Sequence, residues 1–498
     1  MKASKKLIHK ESRLGRRMVL VAALLYYLST WIHFPPQSDV REGWPLLDLG
    51  VAAVGPPWAL SGDSPHYLIM VHSLTEDADL DLDDDYASAA QGGLEAGQRF
   101  RGRQLDPHAE RDDLGRLLPT HSPALAMLLA LLSWPLAGSL WIEPWCIWLT
   151  TAAGLACLAW TAKRLNLAAS GAVGQDWQTH PVLLLGLASP LWCYSVDLWT
   201  EPWTALAWMG LLFFRHPAAL LAAGLSGTLI KYPFALVPAA MGAWAWWKGE
   251  RTRALSLLTS SALGLAAAVG WVQWLYRDFS DHFSLFHSGI HAGFDWPFEG
   301  MAGLLLSPEN GLLFFFPVLA WAVYGIIASR AGLDASMVGR GSPGKTGQEK
   351  DPRQLAQESG RGGRPNNRIG GLLGGILRSG RRKFESHFDA PAPGQAENGA
   401  FPLPRPAEAL CGLAAYFLVH AAYEDWAGGT GFSARYLVPA LPLLVLWVRT
   451  SAARSRLYQA ALAYSALWSA VGGLAPALVY DRTPWGVLIH GLNYLQSL

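Results

Sequence analysis

The sequence predicts an all-α fold, a polytopic transmembrane helical bundle of about 11–13 crossings with a large first extracytoplasmic loop carrying short interfacial helices. Three observations predict it. Hydrophobic residues make up 51% of the 498-residue chain and charged residues only 15%, against roughly a quarter charged in a soluble protein. The apolar residues gather in stretches of about 17–25 nearly free of charge, the length that crosses a hydrocarbon core about 30 Å thick. Lysines and arginines recur in clusters between those stretches, as the inner ends of membrane helices do. The formal net charge of +1, from 39 Lys and Arg against 38 Asp and Glu, leaves no global basic surface and excludes nucleic acid as an expected partner. Cys146, Cys157, Cys193 and Cys411 lie far apart in apolar segments without CxxC spacing, which suggests neither a zinc site nor a disulfide framework.

Residues 1–17 carry Lys2, Lys5, Lys6, Lys10, Arg13, Arg16 and Arg17, and the positive-inside rule assigns them to the cytoplasm. The run 18–34 follows as the first transmembrane helix. It closes on Trp31-Ile32-His33-Phe34-Pro35-Pro36 rather than on a small-residue cleavage site, so it is expected to remain as an anchor. Residues 35–120, rich in carboxylates and poor in bases, form the extracytoplasmic acidic loop. The transmembrane bundle occupies 121–328, with crossings expected near 143–162, 180–197, 201–214, 217–230, 233–247, 254–276 and 311–328. A full crossing at Ser122 to Trp141 would export Lys163-Arg164, so that segment reads as a re-entrant or interfacial helix pair. Lys231-Tyr232-Pro233 interrupts the apolar stretch Ala218 to Trp247, giving two short helices that meet outside, with Lys231 near the outer surface. Residues 329–406, rich in Gly, Pro, Arg and Gln, cannot bury enough apolar surface to form a core. They are expected to be a basic, disordered cytoplasmic insertion drawn to anionic lipid headgroups. The C-terminal transmembrane helices lie in 407–478, near 407–423, 437–449 and 457–478, and 479–498 is an extracytoplasmic tail. The chain is therefore expected in a cell membrane, the bacterial inner membrane, as a multi-pass protein with a cytoplasmic N-terminus.

Ionisable groups are costly in hydrocarbon, so those collected at outer helix ends and loops mark where chemistry is to be sought. Four places stand out: Gly62 to Tyr67 with His72 and the acidic run Glu76 to Tyr86; Tyr194 to Glu201; Arg277 to Glu299 with Ser307 to Gly311; and Glu424 to Tyr436. The acidic run begins like a calcium loop but has Asp84 where such a loop needs Gly and Ala90 where it needs a bidentate Glu. There is no P-loop and no convincing GxGxxG between a strand and a helix, which leaves a soluble nucleotide site without support.

At these residues the chain resembles the C-type membrane glycosyltransferases of the protein mannosyltransferase and lipid A aminoarabinose transferase kind. The resemblance lies in Gly62-Asp63-Ser64-Pro65-His66-Tyr67-Leu68 with the acidic, leucine-spaced continuation, in Leu306 to Val318, and in Trp426 to Pro442. It implies transfer of a sugar from a polyprenyl-phosphate donor to a glycan, lipid or protein acceptor on the outer side. Inversion and an acidic base in the first outer loop are also implied. The family often has an acid where this chain has Ser64, so the acidic pair is absent here.

That chemistry needs a carboxylate to take the acceptor's proton, and Asp63 is the candidate. The alternative for Asp63 is a helix N-cap ahead of Pro65. The departing lipid phosphate needs cations. Arg435, after a Gly-rich turn, and Lys231 are the candidates, with interfacial anchoring as the other reading of each. His66, Tyr67, Glu201, Asp425 and Trp426 form the candidate substrate-binding set. Asp63 and Arg435 are expected on one side facing one cavity, on the order of 8–14 Å apart, the span of a bound sugar phosphate. The one candidate cofactor is a divalent metal on His287, His291 and Asp295, spaced four apart, with His66 and His72 as other contributors; polar residues at a wet interface are the alternative reading. A transporter or flippase of lipid-linked sugars, or an inactive scaffold of the same fold, are the competing functions.

Overall fold

The computed structural model describes residues 2–33, 53–54, 63–91, 108–139, 141–168, 180–276, 296–330, 405–423, 432–448 and 455–474. Helix takes up 80% of the described residues, so the chain is all-α. In chain order the helices are α1 Lys2–Trp31, α2 Ser64–Glu76, α3 Asp83–Gln91, α4 Ala124–Ser133, α5 Ile142–Ala168, α6 Pro181–Leu187, α7 Leu191–Ser195, α8 Thr200–Phe213 and α9 Pro217–Ile230. They continue as α10 Leu236–Trp247, α11 Arg251–Tyr276, α12 Pro297–Leu306, α13 Leu312–Phe315, α14 Ala320–Arg330, α15 Pro406–Ala422, α16 Leu441–Leu444 and α17 Arg456–Leu474. The strands form two small antiparallel ladders, β1 Ile32–His33 with β2 Ala53–Val54, and β3 Ala109–Arg111 with β4 Leu117–Pro119.

Two described helices are long and apolar enough to cross a membrane, at Ile142–Ala162 and Arg251–Leu275. Several other expected crossings are shorter or broken, and proline is the reason. The stretch 180–197 divides into α6 and α7 at Ser189-Pro190. The stretch 311–328 is interrupted at Phe316-Pro317, and 437–449 is a run of 3-10 and α turns holding Pro439 and Pro442. Each proline lacks the amide hydrogen that the ladder needs and crowds the preceding turn. Among its described residues, Ser122 to Trp141 holds the ten-residue α4 and a 3-10 turn, each too short to span.

The apolar stretch breaks into two short helices at Lys231-Tyr232-Pro233, as expected, and the Lys231 side chain is turned inward, 11% exposed, onto Glu201. The chain reverses through the 3-10 turn Tyr232–Ala235, and both α9 and α10 pack along α11. Gly224 in α9 lies against Ser260 of α11 and Pro238 of α10, a contact that leaves no room for a Cβ. At the far ends of these helices, Arg253 donates to Glu408 of α15 and to the carbonyls of Leu211 and Phe214. It thereby satisfies carbonyls that the end of α8 leaves open.

The buried side chains form two cores. The larger gathers Trp199, Trp208, Phe234, Phe315, Tyr416, Phe432 and Trp468 among others. The smaller packs Leu68, Ile69, Met70 and Val71 of α2 against Leu125, Leu129, Ile147 and Leu198. Eleven of the thirteen residues of α2 are buried, and buried polar members such as Ser64, His66 and Thr75 are hydrogen-bonded there, as burial requires. The cores adjoin at Leu198-Trp199, where one residue belongs to each.

Candidate functional site

The start of α2 is fixed by Ser64, whose hydroxyl donates to the Leu198 carbonyl at 3.0 Å from a fully buried position. The site where the resemblance leads one to expect a second acid is therefore a structural hydrogen bond to the loop before α8. Asp63 precedes it, and its side chain makes no capping bond to α2. The carboxylate turns instead toward Arg435, so N-capping does not account for this residue. Pro65 in the first turn removes one amide that a cap would otherwise serve.

Arg435 opens a 3-10 turn, and its amide donates to the Ser433 carbonyl at 2.7 Å. Its guanidinium is shared. Nη2 donates to Asp63 Oδ2 at 2.7 Å, and Nε donates to Glu201 Oε1 at 3.1 Å. Glu201, in the first turn of α8 and fully buried, also receives Lys231 Nζ at 2.8 Å on the same oxygen. The Thr200 hydroxyl donates to its other oxygen at 3.2 Å. Aromatic faces complete the cation sites: the Arg435 guanidinium lies 4.6 Å from the Trp199 ring centre, and Lys231 Nζ lies 4.7 Å from that of Tyr436. Asp63, Arg435, Glu201 and Lys231 thus form one chain of alternating charge. Its four members come from the residue before α2, α8, the α9–α10 reversal and the segment before α16. Burial alone would raise the Asp63 carboxyl, but Arg435, with His121 and His108, holds it well below the usual carboxylate range.

The contact overturns the expected span of 8–14 Å between Asp63 and Arg435. Opposite charges withdrawn from water attract more strongly at lower effective dielectric, and here they meet directly, with side chains only 11% and 15% exposed.

On its other oxygen Asp63 faces histidines that sequence reasoning missed. Asp112 accepts from the amides of Leu114 and Arg116, and Gly115 takes a left-handed φ of 83°, closing the turn between β3 and β4. The hairpin sets His108 and His121 side by side, with Thr120 donating to the His108 carbonyl through both its amide and its hydroxyl. His108 Nδ1 lies 3.7 Å and His121 Nε2 3.6 Å from Asp63 Oδ1, and the two nitrogens are 3.0 Å apart. His66 stacks on His108 with ring centres 3.7 Å apart and pairs with the Tyr86 hydroxyl at 2.6 Å. Burial, then the neighbouring His108 and His121, depress the His66 imidazole to about 2. Tyr67 stacks on His121. The acidic run holds the hairpin from below: Asp81 accepts the Leu117 amide at 2.9 Å, and Asp83 pairs with Arg111.

Of the residues the sequence singles out, Asp63, His66, Tyr67, Glu201, Lys231 and Arg435 come together. Asp425 and Trp426 lie outside the described residues, as do His287, His291 and Asp295, most of the insertion 329–406, and the tail 479–498. Among the described residues, the three groups with metal-ligand spacing are Asp63, His108 and His121. His72, offered as a contributor, instead sits between Glu76 at 3.3 Å and Glu143 at 3.8 Å. The signal that could have found the histidine pair was the Asp112-Asp113-Leu114-Gly115 turn. Read as a hairpin, it carries His108 and His121 to one end. No protein-family model, curated protein or solved structure matches this chain.

Proposed function

We propose that this chain is an integral-membrane glycosyltransferase. It transfers a sugar from a polyprenyl-phosphate donor to a glycan, lipid or protein acceptor on the extracytoplasmic side, with inversion. In this reading the helices form a polytopic bundle in the bacterial inner membrane with a cytoplasmic N-terminus, and the shorter helices complete crossings in broken pairs. The observation that supports it is the convergence of a candidate base and two candidate phosphate-binding cations, drawn from separate segments, in one buried cluster.

In the proposed step the acceptor oxygen bonds to the anomeric carbon as the bond from that carbon to the phosphate oxygen breaks. The hydroxyl proton passes to Asp63, and the electron pair of the broken bond stays on the lipid phosphate. Arg435 and Lys231 hold that charge, Arg435 through a planar fork. A carboxylate held low by Arg435 is a weak base. Phosphate arriving at Arg435 competes for the same guanidinium hydrogens and so raises the basicity of Asp63 when the donor is in place. Glu201, accepting from Arg435 Nε and Lys231 Nζ, holds both cations in place when the product phosphate departs. His66, Tyr67, Asp425 and Trp426 are the proposed walls for sugar and acceptor.

The test is an assay of the purified full-length protein with a radiolabelled polyprenyl-phosphate hexose, following sugar released to an acceptor or to water. Wild type should release label, and Asp63→Asn should lose at least a hundredfold in rate, the order of a general base's contribution. No release by wild type across donor sugars, or full release by Asp63→Asn, would end this reading.

A further inference from the structure

We infer that Asp63, His108 and His121 form a binding site for one divalent transition-metal ion of the zinc class. The inference rests on the geometry of three side chains and holds whether or not the protein transfers sugar.

The spacing carries the argument. Tetrahedral zinc with nitrogen and oxygen donors at about 2.0–2.2 Å sets those donors about 3.3 Å apart. The three edges here are 3.0, 3.6 and 3.7 Å. A hydrogen bond between the two imidazoles explains the first edge. It does not explain why Asp63 Oδ1 stands at nearly equal distance from both nitrogens, beyond hydrogen-bond range of either. Equal edges slightly longer than a hydrogen bond are what co-ligands of one ion show. The donor set, two imidazole nitrogens and a carboxylate oxygen, is that of three-ligand zinc sites that keep a fourth position open.

The surroundings supply what such a site needs beyond its ligands. Each imidazole is held flat against a neighbouring ring, His108 by His66 and His121 by Tyr67. The hairpin carrying both is tied to the acidic run by Asp81 and Asp83. Asp63 gives Arg435 its Oδ2 atom, leaving Oδ1 toward the histidines. Supporting contacts of this kind fix ligand orientation. Access is graded: the His108 side chain is 36% exposed and His121 24%, against 11% for Asp63, so an ion can enter over the hairpin and keep its open position there. The ion-pair chain of Asp63, Glu201, Arg435 and Lys231 sums to zero charge. A bound dication would make this end of it positive, a setting that favours a phosphoryl oxygen as fourth ligand.

The experiment uses the full-length protein in detergent, stripped with a chelator and titrated with Co²⁺, then with Zn²⁺. Wild type should take up about one equivalent of Co²⁺ with the intense visible absorption of a four-coordinate site, and Zn²⁺ should bleach it. His108→Ala with His121→Ala should lose that absorption and at least a hundredfold in affinity. If the double variant is not monodisperse, His108→Gln alone is measured, with at least a tenfold loss expected. A wild-type protein that takes up no Co²⁺ would overturn the inference, and so would a signal unchanged in the histidine variants. Neither result depends on transferase activity.

Discussion

Arg435 divides its guanidinium between two carboxylates, which makes lysine a poor substitute. A single ammonium can sit with Asp63 or with Glu201, but it cannot present the two directed N–H groups that reach 2.7 and 3.1 Å. Under the transferase reading, Arg435→Lys is expected to lower the initial rate of label release at least tenfold, and Arg435→Ala further. Full activity in Arg435→Lys would show that charge alone suffices. The alanine variant should also melt at lower temperature, because removing one partner of a buried pair costs on the order of 3–5 kcal/mol. Ser64 offers an independent check of the same corner. Its hydroxyl is buried on the Leu198 carbonyl, so Ser64→Ala should cost about 1 kcal/mol. Ser64→Glu, which places a second acid beside Asp63, should cost more, since its carboxylate would be buried against a carbonyl. Scanning calorimetry of the purified variants orders the two, and a stable Ser64→Glu would mean that the start of α2 is looser than the hydrogen bond implies.

At the scale of elements, the burial of α2 and of Asp85 in α3 gives this part of the chain a pH dependence. Asp85 is raised to about 7, by burial first and then by Asp84 and Asp77, whereas an unfolded aspartate titrates near 4. The folded form therefore holds a proton that the unfolded chain has released. Stability from this group is full below about pH 4 and is lost as the pH rises through 7. Asp85→Asn should melt above wild type at about pH 8, and the gap should close toward pH 5. His72 acts in the same sense. Burial alone would lower it, but Glu143 and Glu76 raise it to about 9, so its contribution is full below about pH 6.5 and is lost through 9. His72→Gln should accordingly cost most near pH 6 and least near pH 10. Melting curves across pH check both, and a flat Asp85→Asn difference would remove the buried-carboxyl account. A third joint, Arg253 with Glu408, ties α8, α11 and α15. Glu408→Gln should lower the melting temperature more than Arg405→Gln, because Glu408 meets Arg253 at 2.8 Å inside the fold, whereas Arg405 reaches Glu408 at 3.5 Å and otherwise pairs with Glu250, which is 41% exposed.

Across the whole molecule, what was legible followed from local pattern. Long apolar runs gave α5 and α11, and Lys231-Tyr232-Pro233 gave the reversal between α9 and α10. Charge in an apolar sequence pointed to Asp63, Glu201, Lys231 and Arg435. Prolines within apolar runs were underweighted, so 180–197, 311–328 and 437–449 read as single spans. His108 and His121 were invisible because their meaning comes from a hairpin register, which apolar periodicity does not report. The contact between Asp63 and Arg435 was also out of reach, since it spans 372 positions in the chain. The described helices on either side of 331–404 are α14, which closes at Arg330, and α15, which opens at Pro406. Deleting 339–391 is expected to leave monodisperse protein with an unshifted melting temperature, and loss of folded protein would show that the segment supports the fold. The order of synthesis adds a last consequence of the charge chain. Glu201 precedes Arg435 by 234 residues, roughly 10–50 s of translation at about 5–20 residues per second. From the synthesis of Lys231 until that of Arg435, Asp63, Glu201 and Lys231 together sum to one negative charge. Chains truncated before Arg435 should therefore be degraded as unfinished, and a lysine or arginine supplied earlier in the chain should lengthen their lifetime, as a pulse-chase measurement would show.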